Sequence, residues 1–145
     1  DSYNLLVQNG NGSSSSSSGL NGYSSAEVYL LARTIYAEGR GEPYTGQVAI
    51  GAVVLNRVRS RQFPNTISGV ITAKNQFSGY SPNFPSADFM DLAEDVLTRW
   101  HSGEHGIPTD LVFFRSDGQG HNTFYSECFG GHAYTYKDME KEKTP

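Results

Sequence analysis

A single cysteine, Cys128, stands in the 145 residues, so the chain has no internal disulfide and no cysteine-built zinc cage. Basic residues are in deficit. Eleven Lys and Arg against fifteen Asp and Glu leave a net charge of −4, which argues against a general nucleic-acid binder with its broad basic face. No apolar run approaches the ~18 residues of a membrane span. The HExxH pattern is missing, and of the four histidines (His101, His105, His121, His132) only His101 and His105 have a metal-like spacing, which Gly103 interrupts. No metal and no cofactor are therefore expected. As a nucleophile Cys128 would need a base, and His132 is its only local candidate; a semi-buried thiol is the expectation. None of this tells against a polysaccharide ligand, which is held by aromatic platforms and hydrogen bonds. Aromatics are plentiful, with nine Tyr and eight Phe.

Residues 1–23 contain "NGNGSSSSSSGLNG" and read as a flexible linker or tail. The chain begins at Asp1, as expected of a processed or excised fragment. A catalytic domain is expected over 24–137 and a charged, frayed tail over 138–145. Ser24 with Glu27 forms a capping box, after which Val28, Leu31, Ala32 and Ile35 share one helical face. Glu38 follows Leu31 by seven residues and sits only about 20° from it round the helix, at the edge of the stripe. Arg33 points away. Residues 48–55 are apolar all round except Gly51, as in a central helix or a buried strand. Helix is favoured, because the pattern continues through Asn56, Arg57 and Val58 without a turn signal. A short helix is expected from Ile67 to Ala73. The clearest amphipathic helix begins near Ser86, carries Phe89, Leu92, Ala93, Val96 and Trp100, and stops at Gly103. Beyond Pro108, "LVFFR" (111–115) and "HAYTY" (132–136) read as strands with "SDGQGHN" as a turn, His132, Tyr134 and Tyr136 sharing one face. Helices followed by a small antiparallel unit make an α+β fold.

Glu38 is the first candidate for chemistry. Apolar neighbours penalise a carboxylate's charge, and the negative end of the helix dipole acts in the same direction. A general acid needs such surroundings. The plain alternative is an exposed glutamate, or one paired with Arg40. Glu27 is accounted for by the cap. Glu42 is the nearest second carboxylate, of interest because glycosidases normally use two; its plain alternative is a carboxylate favoured near the next helix N-terminus. "NQFSGYSP" (75–82) and "GGHAYTY" (130–136) combine polar loop residues with aromatics, as a sugar groove would, or as turn chemistry beside core aromatics would. Gly130 and Gly131 mark a bulge or a close backbone approach.

"ARTIYAEGRGEPYTGQVAIGAVVLNRV" (32–58), then "NQFS" (75–78) and "GGHAYTY" (130–136), resemble the catalytic domain of the SleB-like spore-cortex-lytic and cell wall hydrolases over about residues 26–137. The resemblance implies a peptidoglycan-cleaving enzyme with a compact α+β fold related to lysozyme-like transglycosylases, acting outside the cytoplasm on cell wall or spore cortex. It implies Glu38 as the essential acid/base. The expected reaction is lytic transglycosylation between N-acetylmuramic acid and N-acetylglucosamine, with Glu42, Gln47, Ser78, Tyr80, His132 and Tyr134 binding substrate. An N-acetylmuramyl-L-alanine amidase or a muramidase is the alternative within the family, and a non-catalytic wall-binding module the alternative outside it. The expected partner is a peptidoglycan glycan strand, with an accessory or inhibitor protein besides, and the expected state is a monomer. Two positions depart from the family's habit: Gly39 replaces the common alanine, and Gly131 replaces the asparagine usual before the histidine. The first is expected to loosen the helix end that carries Glu38. The serine tract reads as the remnant of a linker to the upstream peptidoglycan-binding domain usual in the family.

Overall fold

Ser24 opens the first helix as its sequence requires. In the computed structural model, which describes residues 22–73, 86–104, 106–118, 120–128 and 130–143, helix α1 spans Ser25–Gly39. The Glu27 N–H donates to Ser24 Oγ (3.2 Å) and the Ser24 N–H donates to Glu27 Oε1 (2.9 Å), so the capping box satisfies two amides reciprocally. Val28, Leu31, Ala32 and Ile35 are buried together, as the periodicity predicts.

The all-apolar segment is helical. Helix α2 (Tyr44–Arg59) is buried continuously from Val48 to Arg57, because α1, α3 (Ile67–Thr72), α4 (Ser86–Ser102) and strand β1 (Phe113–Ser116) surround it. A helix enclosed on every side has no polar face to show, which explains the missing amphipathic period. Gly51 is the crossing point. A Cβ there would lie 2.8 Å from Val96 Cγ1 and 3.0 Å from Ile35 Cδ1, so α1, α2 and α4 approach one another only because that side chain is missing. Helix α3 is capped by Thr66, whose hydroxyl accepts the Gly69 N–H (3.0 Å). Helix α4 buries Leu92, Ala93, Val96 and Leu97, with Phe89 and Trp100 half-buried at its margins.

Asn56, fully enclosed in α2, joins the helical core to the strand-bearing half. Its Nδ2 donates to the carbonyls of Leu111 (2.8 Å) and Pro108 (3.3 Å), while its Oδ1 accepts the indole N–H of Trp100 (2.8 Å). A buried amide with donors and acceptor all used adds directional specificity that an apolar residue could not supply.

The sheet is antiparallel, in the order β1–β2–β3, with β2 at Asn122–Glu127 and β3 at Gly130–Tyr134. Phe114, Phe124 and Tyr134 are cross-strand neighbours, and this row packs on the helical core, Phe124 fully buried. The α+β expectation holds, with three differences in detail. The central strand, "NTFYSE", was not among the two strands read from sequence. The last strand is Gly130–Tyr134 rather than 132–136. Tyr136 begins helix α5 (Tyr136–Lys143), so the segment read as a frayed tail is helical and buries Met139. The signal was present: Thr135 caps the helix and Asp138 stands three residues on, the Asp138 carboxylate accepting the Thr135 N–H (2.8 Å) and the Thr135 hydroxyl accepting the Asp138 N–H (3.4 Å). The bulge expected at the paired glycines is real. Register shifts between Tyr125 and Glu127, and Gly131, at φ +73°, lies against the Ser126 side chain and the Glu127 backbone. Left-handed backbone is open to glycine and, among other residues, most readily to asparagine, so the departure at 131 keeps the conformation that the position demands. Among the described residues no helix is long and apolar enough to cross a membrane.

Candidate functional site

Helix α1 ends beside the start of α2, and three contacts fix the junction. The Glu42 N–H donates to the Gly39 carbonyl (2.9 Å), the Arg40 N–H donates to the Tyr36 carbonyl (3.2 Å), and Gln47 Nε2 donates to the same Gly39 carbonyl (3.0 Å). Gln47 thereby ties the first turn of α2 to the last turn of α1, immediately after Glu38. Gly39 does not loosen this end. It is helical and buried, and a Cβ on it would run into Ile50 Cδ1, so Ile50 occupies the space that an alanine would claim. Gly39→Ala is expected to lose about 1–2 kcal/mol through overpacking despite its better helix propensity. Gly39→Ala with Ile50→Val should recover most of that loss; a urea-unfolding double-mutant cycle reads the coupling directly.

Glu38 sits half-buried on the last turn of α1. Its charge reaches Arg57, a residue that sequence reading had treated only as a continuation of the apolar pattern. Arg57 is 3% exposed. Its Nε donates to the Val112 carbonyl (2.6 Å), and its guanidinium lies 4.9 Å from the Phe63 ring centroid and 5.4 Å from that of Phe113. Burial pushes its pKa down to about 10, with Glu38 and Cys128 acting the other way, so the group stays charged at neutral pH. A cation one residue past Asn56 in an otherwise apolar helix was the available signal. A charge is tolerated there only when something pairs with it.

Glu42 faces a different element. Its carboxyl accepts the Asn122 N–H and lies near His121 and Asp117 of the β1–β2 connection, which is closed by the Asp117 N–H donating to the His121 carbonyl (2.8 Å). Burial, more than Asp117, pushes the Glu42 carboxyl above the ordinary range, and His121 with the Asn122 N–H pulls the other way. His121 stacks on Tyr136, with ring centroids 4.0 Å apart. The approach of His121 and Asn122 to Glu42 carries no sequence signature, because it spans the whole helical half.

The other candidates separate. His132 is exposed on β3, with Nδ1 3.5 Å from Asp110 Oδ2 and its N–H donating to Ser126 Oγ (2.8 Å). Tyr134 is buried and its hydroxyl donates to the Gly106 carbonyl (2.9 Å), which anchors the sheet to the 106–108 segment. Ser78 and Tyr80 lie outside the described residues, as do His105 and residues 1–21. Cys128 is exposed rather than semi-buried.

The sequence and the fold both have relatives. The catalytic domain of the germination-specific lytic transglycosylase SleB from Bacillus anthracis is 35% identical, with a TM-score of 0.56 over 68% of this chain and 80% of that one. A spore cortex-lytic enzyme of Bacillus cereus is 57% identical over 84 residues, covering 55% of this chain and 32% of its own length. One from Bacillus subtilis is 38% identical over 100 residues, 66% of this chain and 32% of its own. The chain thus spans about a third of the length of these curated relatives. The Cell Wall Hydrolase family model matches residues 41–135, a stretch that begins just after Glu38 and takes in α2, α4 and the whole sheet. A match over more than half of the chain, on a backbone shared with solved catalytic domains, places this protein in the cell wall hydrolase family.

Proposed function

We propose that this domain is a peptidoglycan lytic transglycosylase, cleaving the bond between N-acetylmuramic acid (or its lactam) and N-acetylglucosamine with Glu38 as its one acid/base. Peptidoglycan of cell wall or spore cortex lies outside the cytoplasm, and the enzyme acts there. The observation that carries the reading is the unlike placement of two neighbouring glutamates. Glu42 faces the sheet through the Asn122 N–H, and Glu38 stands half-buried on the final turn of α1, within electrostatic reach of Arg57, at an end that Gln47 holds in place. A single carboxylate suffices when the nucleophile belongs to the substrate. Glu38 as the acid gives its proton to the glycosidic oxygen as the C1–O bond breaks. As carboxylate it then takes the proton from the C6 hydroxyl of the same muramic sugar while that oxygen bonds C1 and closes an anhydro ring. The intramolecular attack supplies the effective concentration that a bound water would otherwise have to provide. Arg57 stabilises the carboxylate between the two steps, being within electrostatic reach of it.

Mass spectrometry of fragments released from purified peptidoglycan tests the reading. Anhydro-muramic ends are expected. Reducing sugar ends would instead indicate a muramidase, and freed stem peptides an amidase.

Glu42→Gln is expected to reduce activity far less than loss of Glu38, since an amide oxygen still accepts the Asn122 N–H. Its stability effect has a definite sign. A carboxyl whose folded-state pKa is raised favours folding most below its unfolded value and loses that contribution as pH rises through the folded value. The variant should therefore melt slightly higher than the parent at pH 7, with the difference vanishing toward pH 4. Melting curves across that range check it.

A further inference from the structure

A groove of about 450 Å³ opens where the C-terminal end of α2 faces the 109–112 segment and β2. Arg59 and Arg61 line one side, both exposed, and neither is ion-paired among the described residues. Asp110 and Ser126 line the groove as well. His132 is bound to both of them, through its ring to the Asp110 carboxylate (3.5 Å) and through its N–H to Ser126 Oγ (2.8 Å). Val112 also lines the groove, and its carbonyl holds the Arg57 Nε. The groove is therefore backed by the cation whose charge Glu38 feels.

Two guanidinium groups and a carboxylate select among ligands by charge. A neutral sugar has no use for a pair of unpartnered arginines. A polyanion would be drawn to them and repelled by Asp110. A ligand carrying carboxylates and a free ammonium satisfies all three, because arginine matches carboxylate geometry and an aspartate takes the ammonium. The geometry points to a subsite for a zwitterionic peptide, with Arg59 and Arg61 on its carboxylates and Asp110 on its ammonium. The inference rests on the peptidoglycan reading above for the identity of that peptide. The stem attached to the muramic lactyl group bears side carboxylates and, on its diamino acid, a free ammonium. Engaging it would let the enzyme sense whether a muramic residue carries a peptide.

The probe is the soluble tripeptide N-acetyl-L-alanyl-γ-D-glutamyl-meso-diaminopimelate, whose one free amine is that of the diamino acid, titrated into the uniformly ¹⁵N-labelled full chain. Amide shifts are expected at residues 59–62, 109–112 and 126, with a dissociation constant that rises about tenfold in Arg59→Ala/Arg61→Ala, as two exposed ion pairs would give. Acetylating the free amine should weaken binding severalfold in the parent and have no effect in Asp110→Asn. Circular dichroism of the variants keeps a folding defect separate. The absence of shifts at those residues at millimolar peptide would overturn the inference, as would unchanged affinity in the double arginine variant. Tighter binding of oligomeric glycerol phosphate than of the peptide would reassign the groove to a phosphate polymer. The tripeptide has no glycosidic bond, so its binding and the enzyme's cleavage products succeed or fail independently.

Discussion

Glu38→Gln should yield a folded protein whose release of soluble fragments from peptidoglycan falls by about three orders of magnitude or more. The substitution is nearly isosteric and the site half-buried, so the expected change in melting temperature is a few degrees at most. The chemical loss is of another order. An amide can neither deliver a proton to the leaving oxygen nor receive one from the attacking hydroxyl, and general acid–base catalysis is worth about 10²–10⁴ for a single transfer. Here one side chain serves two transfers. Loss of turbidity in a wall suspension measures the effect over a sufficient range. Clearing at a near-parental rate by the variant would remove Glu38 from the mechanism. If Glu42→Gln were equally inactive, a two-carboxylate hydrolysis would become the better account.

Replacement of Arg57 should have the largest effect on stability. Arg57→Ala withdraws a side chain packed between the Phe63 and Phe113 rings and leaves the Val112 carbonyl without its 2.6 Å donor. An unsatisfied buried carbonyl costs about 1–3 kcal/mol and the vacated volume adds to it, so a total of roughly 3–5 kcal/mol is expected in urea unfolding. Arg57→Met separates packing from charge. It refills the space between the rings without carrying a cation, but the Val112 carbonyl still lacks its donor, so a loss of about 1–3 kcal/mol should remain. Its activity should fall about tenfold in kcat. A variant with parental kcat would leave Arg57 a purely structural residue.

How the site was read from sequence differs from residue to residue. Glu38 was legible because helical periodicity is local: the capping box set the start of α1, and counting along the stripe placed the carboxyl at its margin and near its end. Gln47 is expected from sequence to bind substrate, but the task its side chain has in the fold, holding the Gly39 carbonyl, depends on how α2 folds back on α1. Tyr134 was expected in a groove and lies in the core instead, its hydroxyl satisfied by Gly106, because strand alternation tells which residues share a face but not which face is covered. The helix at the C-terminus was hidden by composition. A segment so rich in Lys and Glu reads as solvated, and only Met139 and the Thr135–Asp138 cap mark it otherwise.

What the sequence determined by itself was whatever local physics decides: the cap and length of α1, the helical state of the buried α2, the stop at Gly103, the α+β order, and Glu38 as the residue to test. Tertiary structure alone decided the partners. Arg57 within electrostatic reach of Glu38, Asn122 on Glu42, Ile50 in the space left by Gly39, and Arg59 and Arg61 in one groove with Asp110 are all brought together by packing. Periodicity and capping act over a few residues and leave a trace in the string of letters. Contact between distant segments depends on how whole faces dock, and a docked face fixes its neighbours through shape and desolvation that no short stretch of sequence records.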